Sequence, residues 1–496
     1  MTSSVAQALP LLEAWTAHSV MQQRPPSVAL TVVHGDRAIW TRVFGYADAI
    51  AKTAATPQTL YRIGSVTKTF TALAILQLRE DGKLRLDDRV RDHVKTTAIA
   101  VGGFDPLDVT VRELLTHSSG LQRDLPGTWW TGPSFPAEMP DHFSATYSSG
   151  TVWKYSSVGY ALLGEVITAA SGEPWAQYIE RRILGPLGMA ATTAAPSRDD
   201  ERIAAGYLRP TPGEPYVPAP RVDHGAVSPA ISMASTIEDL GRYLAFHLGS
   251  GGTVLGAKSL REMHRPQWIL DDWQTAWGLG VRVRRVDGRV RVGHPGNTPG
   301  FAAIVEFIPE LKLGVAVLTN ADDGNPAAYC DYALQLLAPL AAREAARSVP
   351  ALAEGAERYC GHYRSESGHM TMLVVAMDGQ LMLVAPGAAN PHAARVILEP
   401  TSESHAFVMR PGGAFATLPF GERLTFSTNE SGEVIGYEAA SGARFFRKPT
   451  LYVSVERRQQ PQGGPYVKVD RRRQPQAPYS GVERRAGGDR RGEPLH

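Results

Sequence analysis

Strand-like segments lie near both ends of the first 345 residues, and mostly helical patterns fill the space between them. Near the start, apolar residues 28–33 and 38–43 flank a His-Gly-Asp turn, and near the end residues 301–308 and 313–318 repeat this hairpin pattern. Residues 58–270 show helical periodicity broken by Gly/Pro loops. We therefore predict an α+β fold, in which an antiparallel sheet built from both ends is flanked by helices and the helical block forms an inserted lobe beside a cleft.

The later part of the chain changes character. A polar, Ala/Glu-rich stretch at 347–357 reads as a linker, and short alternating strands with turns then continue to residue 449. After residue 450 the chain is rich in Arg, Gln, Pro and Gly, a composition typical of disorder. We predict a first domain over 1–346, a small all-β barrel over 358–449 and a disordered tail over 450–496.

Charge and cysteine content limit the function classes. Residues 451–496 hold ten Lys/Arg against five Asp/Glu, although the whole chain carries a net charge of only +2. The folded body therefore lacks a basic field, and we expect no nucleic-acid partner for it; a partner of the tail is not specified. Cys330 and Cys360 form neither a disulfide scaffold nor a metal-ligand cluster, so we expect no metal and no cofactor.

The pattern of apolar residues gives no sign of a membrane segment. No run of 18 or more apolar residues occurs, and the first 26 residues lack a basic stretch followed by an apolar one. We therefore expect no membrane span, no signal peptide and a cytoplasmic location.

The first chemical motif is Ser65-Val66-Thr67-Lys68, which precedes an apolar helical run. On a helix, residues three apart share a face, so the Lys68 amine can point at the Ser65 hydroxyl. A serine hydroxyl needs such a base to become a nucleophile, and the helix N-terminus favours developing negative charge. By itself the motif is weak, because a capping serine followed by an exposed lysine is at least as common.

The second motif is Tyr155-Ser156-Ser157. A phenol beside an ammonium group is expected to have a lowered pKa, so Tyr155 can exchange protons with the nucleophile and the leaving group. Ser157 can donate to a substrate carbonyl or hold Lys68. The alternative for Tyr155 is an ordinary core tyrosine at a helix start.

The third motif, Gly293-His294-Pro295-Gly296-Asn297, follows a strand predicted over 290–294. Its glycines allow a substrate backbone to approach the strand edge closely. The Asn297 N–H can pair with the Ser65 N–H as an oxyanion hole. His294 is expected to offer a positive or hydrogen-bonding edge, with a pKa near ~6.5 that would let it read a substrate carboxylate. The alternative is a glycine-rich hairpin corner.

Taken together, Ser65-x-x-Lys68, Tyr155-x-Ser157 and His294-x-Gly296 occur in an order that resembles class C β-lactamases, DD-peptidases and related esterases and D-amino-acid peptidases. The resemblance spans roughly residues 10–345 and includes further segments at residues 114–121, 185–189, 235–240 and 277–280, of which we interpret the first three as structural. It implies catalysis by Ser65, Lys68 and Tyr155 in a β-lactamase/transpeptidase-like fold.

Two positions depart from that family's usual pattern. Ser157 stands where Asn is usual, and His294 stands where β-lactamases usually have Lys, so we expect at most weak β-lactamase activity. The resemblance implies small esters, or amides and peptides of D-amino acids, as substrates. Residues 355–448 resemble the lipocalin-like C-terminal domain of some members, which either shapes the cleft, in a possible homo-oligomer, or stabilises the chain passively.

Two other functions fit the same residues. A non-catalytic sensor or scaffold can keep the fold while the Arg-rich tail does the binding, and a transacylase can use an alcohol or amine in place of water. Retention of Ser65, Lys68 and Tyr155 together argues against the scaffold, whereas the sequence does not separate a hydrolase from a transacylase.

Overall fold

The computed structural model describes residues 4–95, 105–125, 143–209, 211, 213–249, 251–252, 254–347, 355–377, 379–385, 395–411 and 421–448. These fall into two compact units, Met1–Arg347 and Ser348–His496. Most of the predicted linker and the whole predicted disordered tail lie outside the described residues. None of the described helices is both long and apolar enough to cross a membrane.

Helices occupy most of the middle of the first unit and also lie near its two ends. In chain order, those described are α1 (Ser4–Gln23), α2 (Thr67–Glu80), α3 (Val111–Thr116), α4 (Ser157–Ser171), α5 (Trp175–Ile179), α6 (Gly185–Leu187), α7 (Ser228–Ile231), α8 (Ile237–Leu248), α9 (Ala257–Met263) and α10 (Pro326–Arg347). Short 3₁₀ or π turns occur at Gly64–Val66, Val90–Asp92, Glu180–Leu184, Gly225–Val227, Pro309–Leu311 and, in the second unit, Ala356–Tyr359.

Most strands of the first unit come from the two ends of its sequence, and a few two-residue strands lie between them. They are β1 (Ser27–His34), β2 (Arg37–Asp48), β3 (Thr53–Ala54), β4 (Tyr61–Arg62), β5 (Tyr207–Leu208), β6 (Val217–Pro218), β7 (Ala234–Ser235), β8 (Trp268–Ile269), β9 (Thr275–Trp277), β10 (Arg282–Val286), β11 (Arg289–Thr298), β12 (Phe301–Ile308) and β13 (Leu313–Thr319). Nine of them form one antiparallel sheet in the order β3-β2-β1-β13-β12-β11-β10-β9-β8. The pairing of β1 with β13, with Leu30 opposite Val317, joins the two ends and confirms the predicted sheet.

The central strands are apolar on both faces because helices cover both. Alternate residues such as Leu30 and Val315 pack in one cluster with α1 and α10. Their neighbours Ala29 and Ala316 belong to a second, larger cluster that includes residues of α2, α4 and α8. Since successive side chains of a strand point to opposite faces, this two-sided burial explains the near-continuous apolar runs of the sequence. The layers confirm the predicted α+β class.

Strand β11 is longer than the sequence indicated. It was predicted to end at His294, yet it continues to Thr298. Its first part pairs with β10, as far as Gly293, whereas its last part pairs with β12 alone, from His294 opposite Val305 to Thr298 opposite Phe301. The last part therefore has one edge that no strand of the described residues occupies. Its backbone approaches the turn Gly64–Val66 closely at Asn297.

The second unit is a closed antiparallel barrel, as predicted. Its eight strands are β14 (Gly361–Ser365), β15 (Thr371–Met377), β16 (Gln380–Val384), β17 (Val396–Pro400), β18 (Ala406–Pro411), β19 (Arg423–Thr428), β20 (Val434–Ala439) and β21 (Arg444–Arg447). Aromatic side chains including Tyr363, Phe426 and Tyr437 form its core. Closure leaves no free strand edge, which suits so small a domain.

A buried ion network fastens the sheet to α10. The Glu306 carboxylate, 1% exposed, accepts from Arg284 at 2.8 Å and from Arg291 at 3.4 Å. Arg291 is itself 2% exposed and reaches Asp331 of α10 at 2.7 Å. Removing one member of such a network leaves an opposite charge buried without compensation.

We therefore expect Glu306→Ala to lower the free energy of unfolding by about 3–5 kcal/mol, because Arg291 would keep its buried charge with less compensation. Glu310→Ala is the matched control, since the Glu310–Arg289 pair lies at the surface and should be worth at most about 1 kcal/mol. Urea denaturation of both variants measures the difference. Equal unfolding midpoints for the two would contradict this account of the network.

Candidate active site

Ser65 lies in the 3₁₀ turn Gly64–Val66, which leads directly into α2. The turn requires glycine before the serine: Gly64 has a φ of +52°, and a Cβ there would lie 2.6 Å from the backbone nitrogen of Asn297. The backbone of β11 thus approaches the turn closely. Ser65 itself is half-buried.

Lys68 is fully buried, one turn along from Ser65. Its Nζ donates to Ser65 Oγ at 3.2 Å and to the carbonyl oxygen of Ala230, in α7, at 3.1 Å. Burial lowers the pKa of the Lys68 ammonium to about 7; Asp124 opposes this shift and Arg123 adds to it. An amine with such a pKa is substantially neutral at physiological pH and can accept a proton from the serine.

Tyr155 completes the group. Lys68 Nζ lies 4.9 Å from the centroid of its ring, and its phenol hydrogen-bonds with the Ser65 side chain. The predicted lowering of the phenol pKa was wrong: burial raises the pKa of Tyr155 above its ordinary value, and the Ser65 hydrogen bond only partly opposes this. Desolvation outweighs the effect of nearby cations, so Tyr155 is a protonated donor in the resting site.

Ser157 is the first residue of α4 and is 7% exposed. Its backbone nitrogen donates to Arg123 O at 2.7 Å, while its neighbour Ser156 caps the helix by accepting from Gly159 N at 2.9 Å. Among the hydrogen bonds of the described residues, Lys68 is held by Ala230 rather than by Ser157. The suggestion that Ser157 holds Lys68 thus finds no support, and its contact with substrate stays a prediction.

His294 is buried, 1% exposed, with its ring 5.5 Å from that of Trp277 and 6.2 Å from that of Tyr155, between centroids. Its Nδ1 donates to the carbonyl oxygen of Pro295 at 2.5 Å. Burial, followed by the charge of Lys68, lowers the pKa of His294 to about 3. The expectation of a histidine that titrates near ~6.5 was therefore wrong, because the sequence could not reveal this burial.

Gly296 and Asn297 bring β11 against the serine turn. A Cβ at Gly296 would lie 2.0 Å from the carbonyl oxygen of Ile63, so only glycine allows this approach. The Asn297 side chain is exposed and donates to Asp322 O at 3.2 Å. Its backbone nitrogen lies next to the turn, 2.6 Å from where a Cβ of Gly64 would be. The structure thus brings Asn297 beside Ser65; their joint service as an oxyanion hole stays a prediction.

Some neighbours of the site were not identified from the sequence. His117 is buried with its ring 4.2 Å from that of Tyr155, and Trp153 and Trp277 lie in the same aromatic group. His117 belongs to a segment interpreted as structural, and no spacing linked it to Tyr155. The Ala230 carbonyl carries no side-chain signal at all. Among the described residues, no group of His, Cys, Asp or Glu is placed to hold a metal ion.

The buried environment of His294 predicts that its imidazole stays neutral from about pH 5 to pH 8, because a histidine is charged only below its pKa. NMR of ¹³C-labelled histidines, with His294→Gln to assign the signal, should show no titration of this ring over that range. A midpoint between about pH 5.5 and 7.5 would show instead that His294 is a charge switch.

Comparison with known proteins identifies the family to which this chain belongs. A family model described as Beta-lactamase matches residues 12–339. Penicillin-binding protein 4 of Amycolatopsis lactamdurans is 30% identical over 303 residues, which cover 58% of this chain and 79% of that protein. Beta-lactamase-like protein 2 of Dictyostelium discoideum is 26% identical over 326 residues, covering 63% of this chain but only 59% of that protein.

Solved structures show the same architecture. The octameric penicillin-binding protein homologue from Pyrococcus abyssi is 25% identical, with a TM-score of 0.57, over 88% of this chain and 99% of that one. The structure titled SurE, at 23% identity and a TM-score of 0.53, shares the fold over 89% of this chain and 100% of its own. With a family model that covers well over half of its length, this chain belongs to the β-lactamase family, a family of serine hydrolases that includes penicillin-binding protein homologues.

Proposed function

We propose that this protein is a serine hydrolase that works through an acyl-enzyme on Ser65. The observation that carries the proposal is the buried Lys68 amine, 3.2 Å from Ser65 Oγ and with its pKa lowered to about 7. A base with a pKa near the working pH combines availability of the neutral form with a useful driving force for proton transfer.

The proposed reaction uses Lys68, Tyr155 and the backbone N–H groups in turn. Lys68 takes the hydroxyl proton as Ser65 Oγ attacks the substrate carbonyl carbon, and the oxyanion is stabilised by the N–H groups of Ser65 and Asn297. Tyr155, protonated because burial raises its pKa, donates its proton to the leaving group and regains one from the Lys68 ammonium. Water then attacks the acyl-enzyme ester on Ser65, and the proton transfers run in reverse: Tyr155 passes its proton to Lys68 and takes one from the water, and Lys68 returns a proton to Ser65 Oγ. The acid product leaves and Ser65 is free again.

The proposed substrates are small esters, or amides and short peptides of D-amino acids, without a need for a cofactor. A neutral, buried His294 supports substrates that lack a carboxylate at this position, because it supplies no cation to bind one. β-Lactams carry such a carboxylate, so weak β-lactamase activity at most is proposed. The octameric state of the Pyrococcus abyssi homologue supports a homo-oligomer as a further proposal.

The scaffold and the transacylase remain the competing functions. A scaffold need not be acylated, whereas a transacylase gives the same acyl-enzyme and differs only when an alcohol or amine competes with water. Activity on a panel of p-nitrophenyl esters, D- and L-amino acid p-nitroanilides and nitrocefin, with and without added alcohol, separates the three.

Ser65→Ala should abolish turnover and covalent labelling by a fluorophosphonate while the protein stays folded, because loss of one hydroxyl costs only about 1 kcal/mol. Intact-mass measurement should show the adduct on the wild type and on the control Ser259→Ala, which removes a buried hydroxyl bonded to Glu80 and Arg79. An adduct on Ser65→Ala would overturn the assignment of the nucleophile.

The acylation rate should follow the neutral fraction of Lys68. Since the neutral amine is the base and predominates only above the pKa, the acylation rate should rise about tenfold per pH unit below about pH 7 and level off above it.

Lys68→Arg should lower the acylation rate about 10²–10⁴-fold, because a guanidinium does not deprotonate in proteins. Lys83→Arg, at an exposed position, is the matched control. Stopped-flow measurement of p-nitrophenol release checks this, and near-wild-type activity of Lys68→Arg would make Tyr155 the base.

A further inference from the structure

We propose that His117 is a positioning residue for Tyr155, holding the phenol in place for proton transfer without touching the substrate itself. The inference rests on the proposed hydrolase function and adds a residue to it. It rests on contacts of His117, whose side chain and backbone bind the residues on either side of Tyr155.

The first contacts are hydrogen bonds on either side of Tyr155. Lys154 N donates to the His117 carbonyl oxygen at 2.8 Å, and Ser156 N donates to His117 Nδ1 at 3.1 Å. The residues immediately before and after Tyr155 are thus both tied to His117. A short segment fixed at both ends has little freedom to move its central backbone, so His117 helps to set where the Tyr155 side chain starts.

The second contact is between the rings. The His117 and Tyr155 centroids are 4.2 Å apart with planes inclined by 33°, and the Trp277 ring lies 5.1 Å from His117 and 5.9 Å from Tyr155. His117 and Trp277 are buried, and Tyr155 beside them is half-buried. The imidazole therefore limits rotation of the phenol about its own axis and sideways displacement away from Lys68.

The backbone of His117 is held in a conformation that few residues adopt. It ends α3 with φ +59° and ψ +30°, the left-handed region, where a non-glycine residue is unfavourable unless its surroundings fix it. That conformation accompanies the bonds from Lys154 and Ser156 to its carbonyl oxygen and ring. Strain kept beside a reacting group is the pattern found at functional sites.

The hydrogen bond from Ser156 also decides what His117 cannot do. Because Nδ1 accepts a backbone N–H, the ring carries its proton on Nε2, which is buried and has no hydrogen-bond partner among the described residues. Burial, followed by the charge of Lys68, lowers the pKa of His117 well below its ordinary value. The ring is therefore a neutral support with its basic nitrogen occupied, and it is not a second general base.

Two substitutions at position 117 distinguish the role of the side chain, which accepts the Ser156 N–H, from the need for a left-handed backbone conformation. Asparagine and glycine both tolerate the left-handed conformation, but only asparagine offers a side-chain oxygen to the Ser156 N–H. We expect His117→Gly to lower kcat for a p-nitrophenyl ester about 10²-fold with KM changed less than about threefold, because the phenol is misplaced while substrate contacts remain. His117→Asn should recover about tenfold or more of that loss.

The control is His264→Asn, which removes a half-buried imidazole bonded to His247 in another part of the unit. It should lower the melting temperature without lowering kcat per folded molecule. Thermal unfolding of every variant and fluorophosphonate titration of active sites give the folded, competent fraction. The loss of kcat in His117→Gly should persist after correction for that fraction.

Three outcomes would overturn the proposal. If the wild type hydrolyses the ester and His117→Gly matches it, Tyr155 does not depend on His117. If both variants at this position lose kcat equally, or lose it only in proportion to the folded fraction, the hydrogen bond to Ser156 does not position the phenol. If the wild type itself neither turns over substrate nor reacts at Ser65, the hydrolase proposal fails, and this one fails with it.

Discussion

The burial of one ammonium group, that of Lys68, is the constraint on which the site depends. The side chain is fully enclosed, and its Nζ contacts the Ser65 hydroxyl and the Ala230 carbonyl oxygen. An isolated charge in such surroundings is costly, and loss of the proton relieves that cost. The same packing that completes the core around α2 thus lowers the pKa of Lys68 to about 7, which fits its proposed role as the base.

That base is useful only because the sheet and the helical part of the first unit meet at a close backbone contact. Gly64 and Gly296 mark it: a Cβ on either would collide with backbone atoms of Asn297 or Ile63. The last part of β11, whose one edge pairs with no strand in the described part of the chain, is thereby fixed against the turn that carries Ser65. The positions of Ser65, Lys68 and the Asn297 backbone are consequently set by the fold of the first unit.

Local patterns in the sequence were enough to predict much of this. The three-residue spacing from Ser65 to Lys68, the strands at both ends of the first unit and the short strands of the barrel all rest on neighbouring residues. The predictions that failed concern properties that depend on packing by distant segments. These are the pKa of Tyr155, the charge of His294 and the end of β11, which continues to Thr298.

The residues that were missed have the same explanation. Ala230 acts through a backbone carbonyl, and His117 reaches Tyr155 across a separation of 38 positions that no periodic pattern records. A sequence can indicate a candidate nucleophile and its base because one helix turn brings the two residues together. It cannot indicate the groups that only tertiary packing places around them.

Direct titration of the Lys68 amine tests the central claim. NMR of protein labelled with ¹³C at the lysine ε-carbon, with Lys68→Arg to assign the signal, reports its protonation without relying on turnover. The account predicts a signal whose midpoint lies near pH 7, absent from the variant. A Lys68 midpoint near ~10.4, the ordinary lysine value, would mean that the amine is charged throughout the physiological range and is not the base that activates Ser65.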